Sequence, residues 1–428
     1  MTADDAFAAD QGWARDADAR DPLARLRDEF LIPPHQDGCD QAYFCGNSLG
    51  LQPRAVRQAL LDELDDWQQL AVEAHFRGRH PWMPYHEFVR EDLAAVVGAE
   101  PQEVVAMNSL TVNLHLMMVS FYRPTRERAA ILIEKNAFPS DRHAVASQIA
   151  FHGGDPARDL IEIGAGDGAT IDDDDLLRAI DQHGHRIALI MLPGVQYLTG
   201  QAFDLAALTE AARKNGCMVG FDLAHAAGNL DLALHDSGCD FAVWCSYKYL
   251  NSGPGAVAGC FVHARHVGAE LPRFAGWWGH DQTSRFRMGP DFVPARGADG
   301  WQLSNPPILA LAPLRVSLEI FRRAGMSALR DKSRALTGYL EWLIRSRAAN
   351  VLDILTPGEP ERRGCQLSLR VKGPPDAGRS LYDHLHADGI VVDWREPDVI
   401  RAAPVPLYNG YGDCLRLVDA VVEWAGHR

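Results

Sequence analysis

A chain of 428 residues that is 47% hydrophobic is too long for one compact core and apolar enough to fill two. Its 42 lysines and arginines face 57 aspartates and glutamates, a formal charge of −15, which argues against a nucleic-acid or anionic-membrane surface and means that an anionic cofactor needs local donors. No Cys-x-x-Cys pair occurs among the eight cysteines, no run approaches the roughly 18 apolar residues of a membrane span, and residues 1–5 lack the basic and apolar regions of a secretion signal, so a reduced, cytoplasmic protein without a metal centre is expected.

Residues 1–50 are acidic and Ala/Asp-rich at their start and read as an arm packed on a smaller lobe. From 51 to 310 a large domain is expected, punctuated by seven apolar runs of strand length at 104–107, 129–133, 160–163, 187–192, 217–221, 241–245 and 256–262. Helical patterns lie between several of them; residues 205–216 show apolar positions at three- and four-residue steps and close on Gly216. Near-continuous hydrophobic strands alternating with helices predict an α/β fold with a mainly parallel seven-stranded sheet, which binds ligands beyond the carboxyl ends of its strands. A long helical stretch from about Ile308 leads into residues 311–428. There an alternating strand at 366–371, a helix at 380–388, strands at 391–394 and 399–401 and a final helix at 414–424 read as a smaller α+β domain.

Two patterns imitate other sites. The glycine-rich stretch 164–168 has the wrong spacing for a dinucleotide loop and runs into four consecutive aspartates at 172–175, which repel phosphate. His183-Gly184-His185 has no nearby Cys or carboxylate cluster and reads as a surface turn.

The chemistry concentrates at strand ends. Lys248 follows the apolar run 241–244, and an amine at the end of a buried strand loses solvation and gains nucleophilicity, as a Schiff-base lysine requires. Asp222 ends the run 217–221; a buried carboxylate beside a pyridine nitrogen keeps it protonated, so the pair suggests pyridoxal phosphate. Taken singly, Lys248 reads as a surface lysine and Asp222 as a helix cap. Residues 108–111, after the first strand, offer the N–H groups and hydroxyls that a phosphate needs, and Phe138 in 136–141 offers an aromatic face, although a capped helix and a core phenylalanine explain them as well.

Seven segments in order along the chain, 46–51, 136–141, 194–201, 220–225, 244–250, 276–280 and 304–307, resemble the signature segments of the kynureninase family. The resemblance implies a fold type I, aspartate-aminotransferase-like PLP enzyme. Its reaction is hydrolysis of L-kynurenine or 3-hydroxy-L-kynurenine to an anthranilate and L-alanine, in tryptophan catabolism and NAD biosynthesis. It also implies a homodimer with shared active sites. By matching position, Lys248 holds the cofactor, Asp222 its ring nitrogen, and Phe138 stacks on it. Leu110, Thr111, Pro139, Ser140, Asp141, His225 and Tyr247 contact it, and Trp277 and Asn305 reach it across the dimer interface. Tyr247 also stands as hydrogen-bond donor to the substrate ketone. Arg401 clamps the substrate α-carboxylate, with Ser48, His75, Tyr197, Trp277, Trp278 and Asn305 as further substrate contacts, and His75 and Asn305 lean the preference toward the 3-hydroxylated substrate. Two departures stand out: Pro193 replaces a small polar cofactor contact and can offer neither N–H nor hydroxyl, and Leu198 replaces a second aromatic after Tyr197. A cysteine desulfurase or a transaminase is the alternative on the same fold; the first needs a mobile cysteine, and Cys365 and Cys414 fall in or beside regular elements.

Overall fold

The computed structural model describes residues 7–166 and 168–427; the first six residues of the expected arm and Asp167 of the glycine-rich turn lie outside them. All seven apolar runs form strands of one sheet: β1 (Val104–Ala106), β2 (Ala130–Glu134), β3 (Leu160–Ile163), β4 (Ile187–Pro193), β5 (Met218–Asp222), β6 (Phe241–Trp244) and β7 (Gly259–Val262). Their spatial order is β1-β7-β6-β5-β4-β2-β3. The pairs from β6 to β3 are parallel, and β7 runs antiparallel to both β6 and β1. The last run begins three residues later than its hydrophobicity suggests, because Gly253 and Gly255 turn the chain at positive φ just before it.

The central stretches of the strands are apolar because both faces are covered, and acids appear only at strand ends, as Glu134 and Asp222, or on the edge strand, as Glu162. Along β2, Ala130 and Leu132 enter one buried cluster while Ile131 and Ile133 enter the cluster on the opposite face. With a side-chain period of two, a strand clad on both sides has no position left for a polar residue. Burial of each such Leu or Ile contributes about 1.5–3 kcal/mol. Close approach matters at Gly220 of β5, where a Cβ would lie 2.0 Å from the Phe241 ring on the neighbouring strand.

Helices α1 (Gln11–Arg20), α2 (Leu110–Phe121), α3 (Pro139–Phe151) and α4 (Leu205–Lys214) precede the long stretch, which the structure splits at Gly325 (φ 78°) into α5 (Ile308–Ala324) and α6 (Met326–Arg347). The four aspartates serve the next helix start, where the Asp172 side chain accepts from the Asp174 N–H, and His183 ends that helix. A second core spans Leu336 to Trp424 and takes in Ala14, Ala42 and Phe44 of the N-terminal segment; α6 bridges the two cores, with Leu329 in the first and Leu336 in the second.

Around that second core lie α7 (Ala377–Ala387), α8 (Tyr411–Gly426) and an antiparallel sheet of β8 (Leu352–Ile354), β9 (Leu367–Val371), β10 (Asp393–Arg395) and β11 (Val399–Ala402), ordered β8-β9-β11-β10. Strand β8 has no counterpart in the sequence reading. The run expected as one strand at 391–394 divides: Ile390–Val391 pairs in parallel with Ala42–Tyr43 of the N-terminal segment, whereas Asp393–Arg395 pairs with β11. Two different partners claim its two halves. Among the described residues no helix is long and apolar enough to cross a membrane.

Candidate active site

Two strand ends and two helix starts build the site. Strand β5 finishes on Asp222, and four residues beyond β6 the chain reaches Lys248. Asn108 (φ 50°) and Asn136 (φ 62°) take the left-handed conformation that asparagine tolerates, turning the chain from β1 into α2 and from β2 into α3. Pro139 occupies the first position of α3, where its missing N–H is not needed. Thr111 Oγ1 and Ser140 Oγ lie 2.9 Å apart, so the two helix starts meet through their hydroxyls, beside first-turn N–H groups that have no acceptor within their own helix.

These elements line a cleft that opens to solvent. Of the residues expected at the cofactor, Leu110, Thr111, Phe138, Ser140, Asp141, Asp222, His225, Tyr247 and Lys248 line it, as does Tyr197 from the substrate set. Lys248 is half-buried, with Nζ 5.8 Å from the Phe138 ring centroid and 5.9 Å from that of Tyr247. The Phe138 ring meets Tyr197 edge-on at 5.3 Å and is 39% exposed, so it keeps an open aromatic surface. Segment 46–50 closes over the lysine loop: Gly50 N–H donates to the Tyr247 carbonyl, and a Cβ at Gly50 would lie 2.3 Å from the Lys248 carbonyl oxygen.

Three carboxyls share the cleft. Asp222 Oδ1 accepts the Ala224 N–H at 2.7 Å, so the cap reading of this residue holds for one oxygen even though the turn that follows is not a helix. Burial, then the neighbouring Asp222, pushes Asp141 well above the usual carboxylate range. Burial also lifts Glu134 to about 8, with Asp222 and Glu162 adding to it. His225 is driven the other way, well below the usual imidazole value, by burial and then by the Lys248 charge, and is neutral at neutral pH. Burial raises the Tyr247 phenol, which therefore keeps its proton. Among the described residues, Asp141 Oδ1 and His225 Nδ1 are buried without a hydrogen-bond partner.

Arg401 stands behind this wall. Its side chain is 1% exposed, Nε donates to Asp393 Oδ2 at 2.7 Å and Nη1 donates to the Tyr197 carbonyl at 2.6 Å. The expected clamp is thus not a free fork but one with two of its five N–H groups already engaged.

The other expected substrate contacts are not brought to the cleft within one chain. Ser48 and Asn305 are exposed, and His75 packs edge-on against Trp82 with Nδ1 at 3.1 Å from the Val72 carbonyl. Trp277 is 42% exposed, whereas Trp278 is buried beneath the Arg285 guanidinium, 4.2 Å from its ring, and presents no open face. Pro139 supports the helix start without lining the cleft.

Glu134, Val195 and Ala224 line the cleft unanticipated, together with Pro193, whose side chain sits where a polar contact was expected. Glu134 had a signal equal to that of Asp222, a lone acid closing an apolar strand. Cys365 and Cys414, the thiols weighed for a desulfurase, are both fully buried and neither lines the cleft.

A family profile described as "Aminotransferase class-V" matches residues 42–373, and one described as "Kynureninase C-terminal domain" matches residues 329–421. The chain is 64% identical over 409 residues to a protein named "Kynureninase" from Xanthomonas euvesicatoria pv. vesicatoria (strain 85-10), covering 95% of this chain and 96% of that protein. It is 63% identical over 410 residues, with the same coverage, to a protein of the same name from Xanthomonas campestris pv. campestris (strain B100). Among solved structures, the Escherichia coli cysteine desulfurase CsdA matches with a TM-score of 0.75 at 18% identity, over 95% of this chain and 98% of that one. The cystine C-S lyase C-DES in complex with cysteine persulfide matches at 0.73 and 18%, over 90% and 97%. At such identities these structures show a shared fold alone.

Proposed function

The chain belongs to the kynureninase family, and from that premise we propose how its own residues divide the work of hydrolysing the kynurenine side chain between Cβ and Cγ. Pyridoxal 5'-phosphate is the cofactor, and the products are an anthranilate and L-alanine. The residues present fit that group. A half-buried amine, a buried carboxylate, an open aromatic face and two touching hydroxyls at a helix start line one cleft, and Asp141 Oδ1 and His225 Nδ1 are left there without partners.

When bound, the cofactor supplies an electron sink that makes removal of the α-proton and scission of the Cβ–Cγ bond accessible. Lys248 would anchor the cofactor covalently and, when free, would carry the α-proton at its Nζ. Asp222 keeps one oxygen on Ala224 N–H and would hold the ring nitrogen with its carboxylate. Phe138 would stack on the ring, and Thr111, Ser140 and the first turn of α2 would hold the phosphate. His225, being neutral, adds no second positive charge beside Lys248. Tyr247, protonated at neutral pH, donates to the substrate ketone oxygen as charge develops there.

Arg401 takes the α-carboxylate beside Tyr197. Ser48, His75, Trp277 and Asn305 are assigned to the substrate's aryl end in a homodimer, with Trp277 and Asn305 donated by the second subunit; none of the four lines the Lys248 cleft within one chain, which supports this division. Trp278 acts by supporting Trp277. The same reading assigns residues 51–310 to the cofactor domain and 311–428, with the arm of residues 1–50, to the small domain.

The convergence of Lys248, Asp222 and Phe138 on one cleft carries the assignment. Purified protein should release a fluorescent anthranilate from kynurenine without any added keto acid. A requirement for keto acid would point to transamination instead.

A further inference from the structure

Arg401 is oriented by a second residue, and the sheet register explains why. Asp393 on β10 pairs directly with Arg401 on β11, and Ser368 on β9 pairs with it from the other side. Asp393 Oδ2 accepts from Arg401 Nε at 2.7 Å and also from Arg395 Nε at 2.9 Å, while Oδ1 accepts from Arg395 Nη2 at 3.3 Å. One carboxylate therefore links two guanidinium groups. The three are not equally accessible: the side chains of Arg401, Asp393 and Arg395 are 1%, 14% and 37% exposed.

The arrangement has two physical consequences. A guanidinium carries five N–H donors in a rigid plane. With Nε held by Asp393 and one Nη1 hydrogen held by the Tyr197 carbonyl, three remain on Nη1 and Nη2, enough for a two-point grip on a carboxylate and fixed in direction before it arrives. Two guanidiniums and one carboxylate also leave a single net positive charge, which one substrate carboxylate neutralises. Without Asp393, two buried or half-buried cations would adjoin with nothing between them, and Arg401 would lose the partner that sets its plane.

We propose that Asp393 is the positioning residue for α-carboxylate recognition, holding Arg401 in its receptive orientation with Arg395 as the tether on the far side. The proposal rests on the reading that Arg401 receives that carboxylate.

The test uses the cofactor-loaded enzyme and two competitive inhibitors that differ only at the carboxyl group, a 4-aryl-4-oxobutanoic acid and its uncharged primary amide. Asp393→Ala should raise the inhibition constant of the acid ~10-fold or more and leave that of the amide within ~2-fold, with KM for kynurenine rising alongside and kcat changing less than ~3-fold. Asp393→Asn, which keeps an oxygen acceptor for Nε without the charge, should fall between wild type and Asp393→Ala, and it serves alone if the alanine variant fails to fold. Equal shifts for acid and amide, or a fall in kcat at constant KM, would overturn the proposal. Arg401→Lys separates the two layers. If it too shifts acid and amide equally, the reading of Arg401 is wrong; if it weakens the acid selectively and the Asp393 variants shift both equally, only the role of Asp393 is refuted.

Discussion

Lys248 Nζ stands 5.8 Å from the centre of the Phe138 ring, although one residue follows the sixth strand of the sheet and the other opens a helix after the second. A nucleophilic amine thus faces an open aromatic surface across a cleft floored by acids. If that amine anchors the cofactor, Lys248→Ala retains its fold and its cleft but forms no covalent link. Borohydride reduction should then add no cofactor mass to the variant, and turnover should drop by roughly 10²–10⁴-fold. A mass increment equal to that of wild type would remove Lys248 from the role.

Phe138→Ala takes away the stacking surface and little else, because the ring is 39% exposed and its loss opens no deep cavity. Stacking of this kind is worth about 0.5–1.5 kcal/mol, so the dissociation constant for pyridoxal phosphate should rise about 2- to 12-fold. Titration of cofactor-free protein reads this directly, and an unaltered affinity would place the ring elsewhere.

Glu134 gives the cofactor-free protein a pH signature. Its folded value of about 8 lies above the ordinary 4.5, so the folded state keeps a proton that the unfolded chain releases. The stability associated with that proton is present below the unfolded value and is lost as pH rises through about 8. Glu134→Gln escapes the loss, so its advantage over wild type should grow from pH 5 to 8 and then level off, reaching on the order of 1–4 kcal/mol. Thermal unfolding from pH 5 to 9 measures it; a difference that stays flat with pH contradicts the burial of this acid.

Shared sites predict complementation. Lys248→Ala lacks the amine and Asn305→Ala lacks a residue assigned to the opposite subunit, so a mixed dimer contains one site with both defects and one site with neither. Mixing should restore activity well above that of either variant alone, and light scattering should give twice the chain mass. A monomer, or a mixture no more active than the sum of its parts, rules the arrangement out.

The aryl substrate preference follows from the same assembly. If His75 and Asn305 meet a 3-hydroxyl, kynurenine leaves them unpaired, and kcat/KM should favour 3-hydroxykynurenine by ten-fold or more. Comparable values for the two substrates refute that contact.

Much of this was legible in the sequence for identifiable reasons. The sheet strands read clearly because a strand covered on both faces must be apolar at every position, as 130–133 and 241–244 are, and the acid and the amine stood out because they end such runs. Strand β8 and the division of 391–394 were not legible. A three-residue edge strand carries too little pattern, and the division depends on which segments pair with its two halves, Ala42–Tyr43 and β11, 348 and four to eight residues away in sequence.

Local chemistry by itself determined the element types, the strand ends on which function sits and the residue kinds able to do it, since hydrophobic period and solvation act within a few neighbouring residues. Tertiary structure alone decided which of those residues share a cleft. It raised Glu134 to a member of the site, buried Trp278 under Arg285, and turned Arg401 from a free fork into one held by Asp393 and the Tyr197 carbonyl. Burial and hydrogen-bond partnership are set by what other segments bring alongside, and no single stretch of chain contains that information.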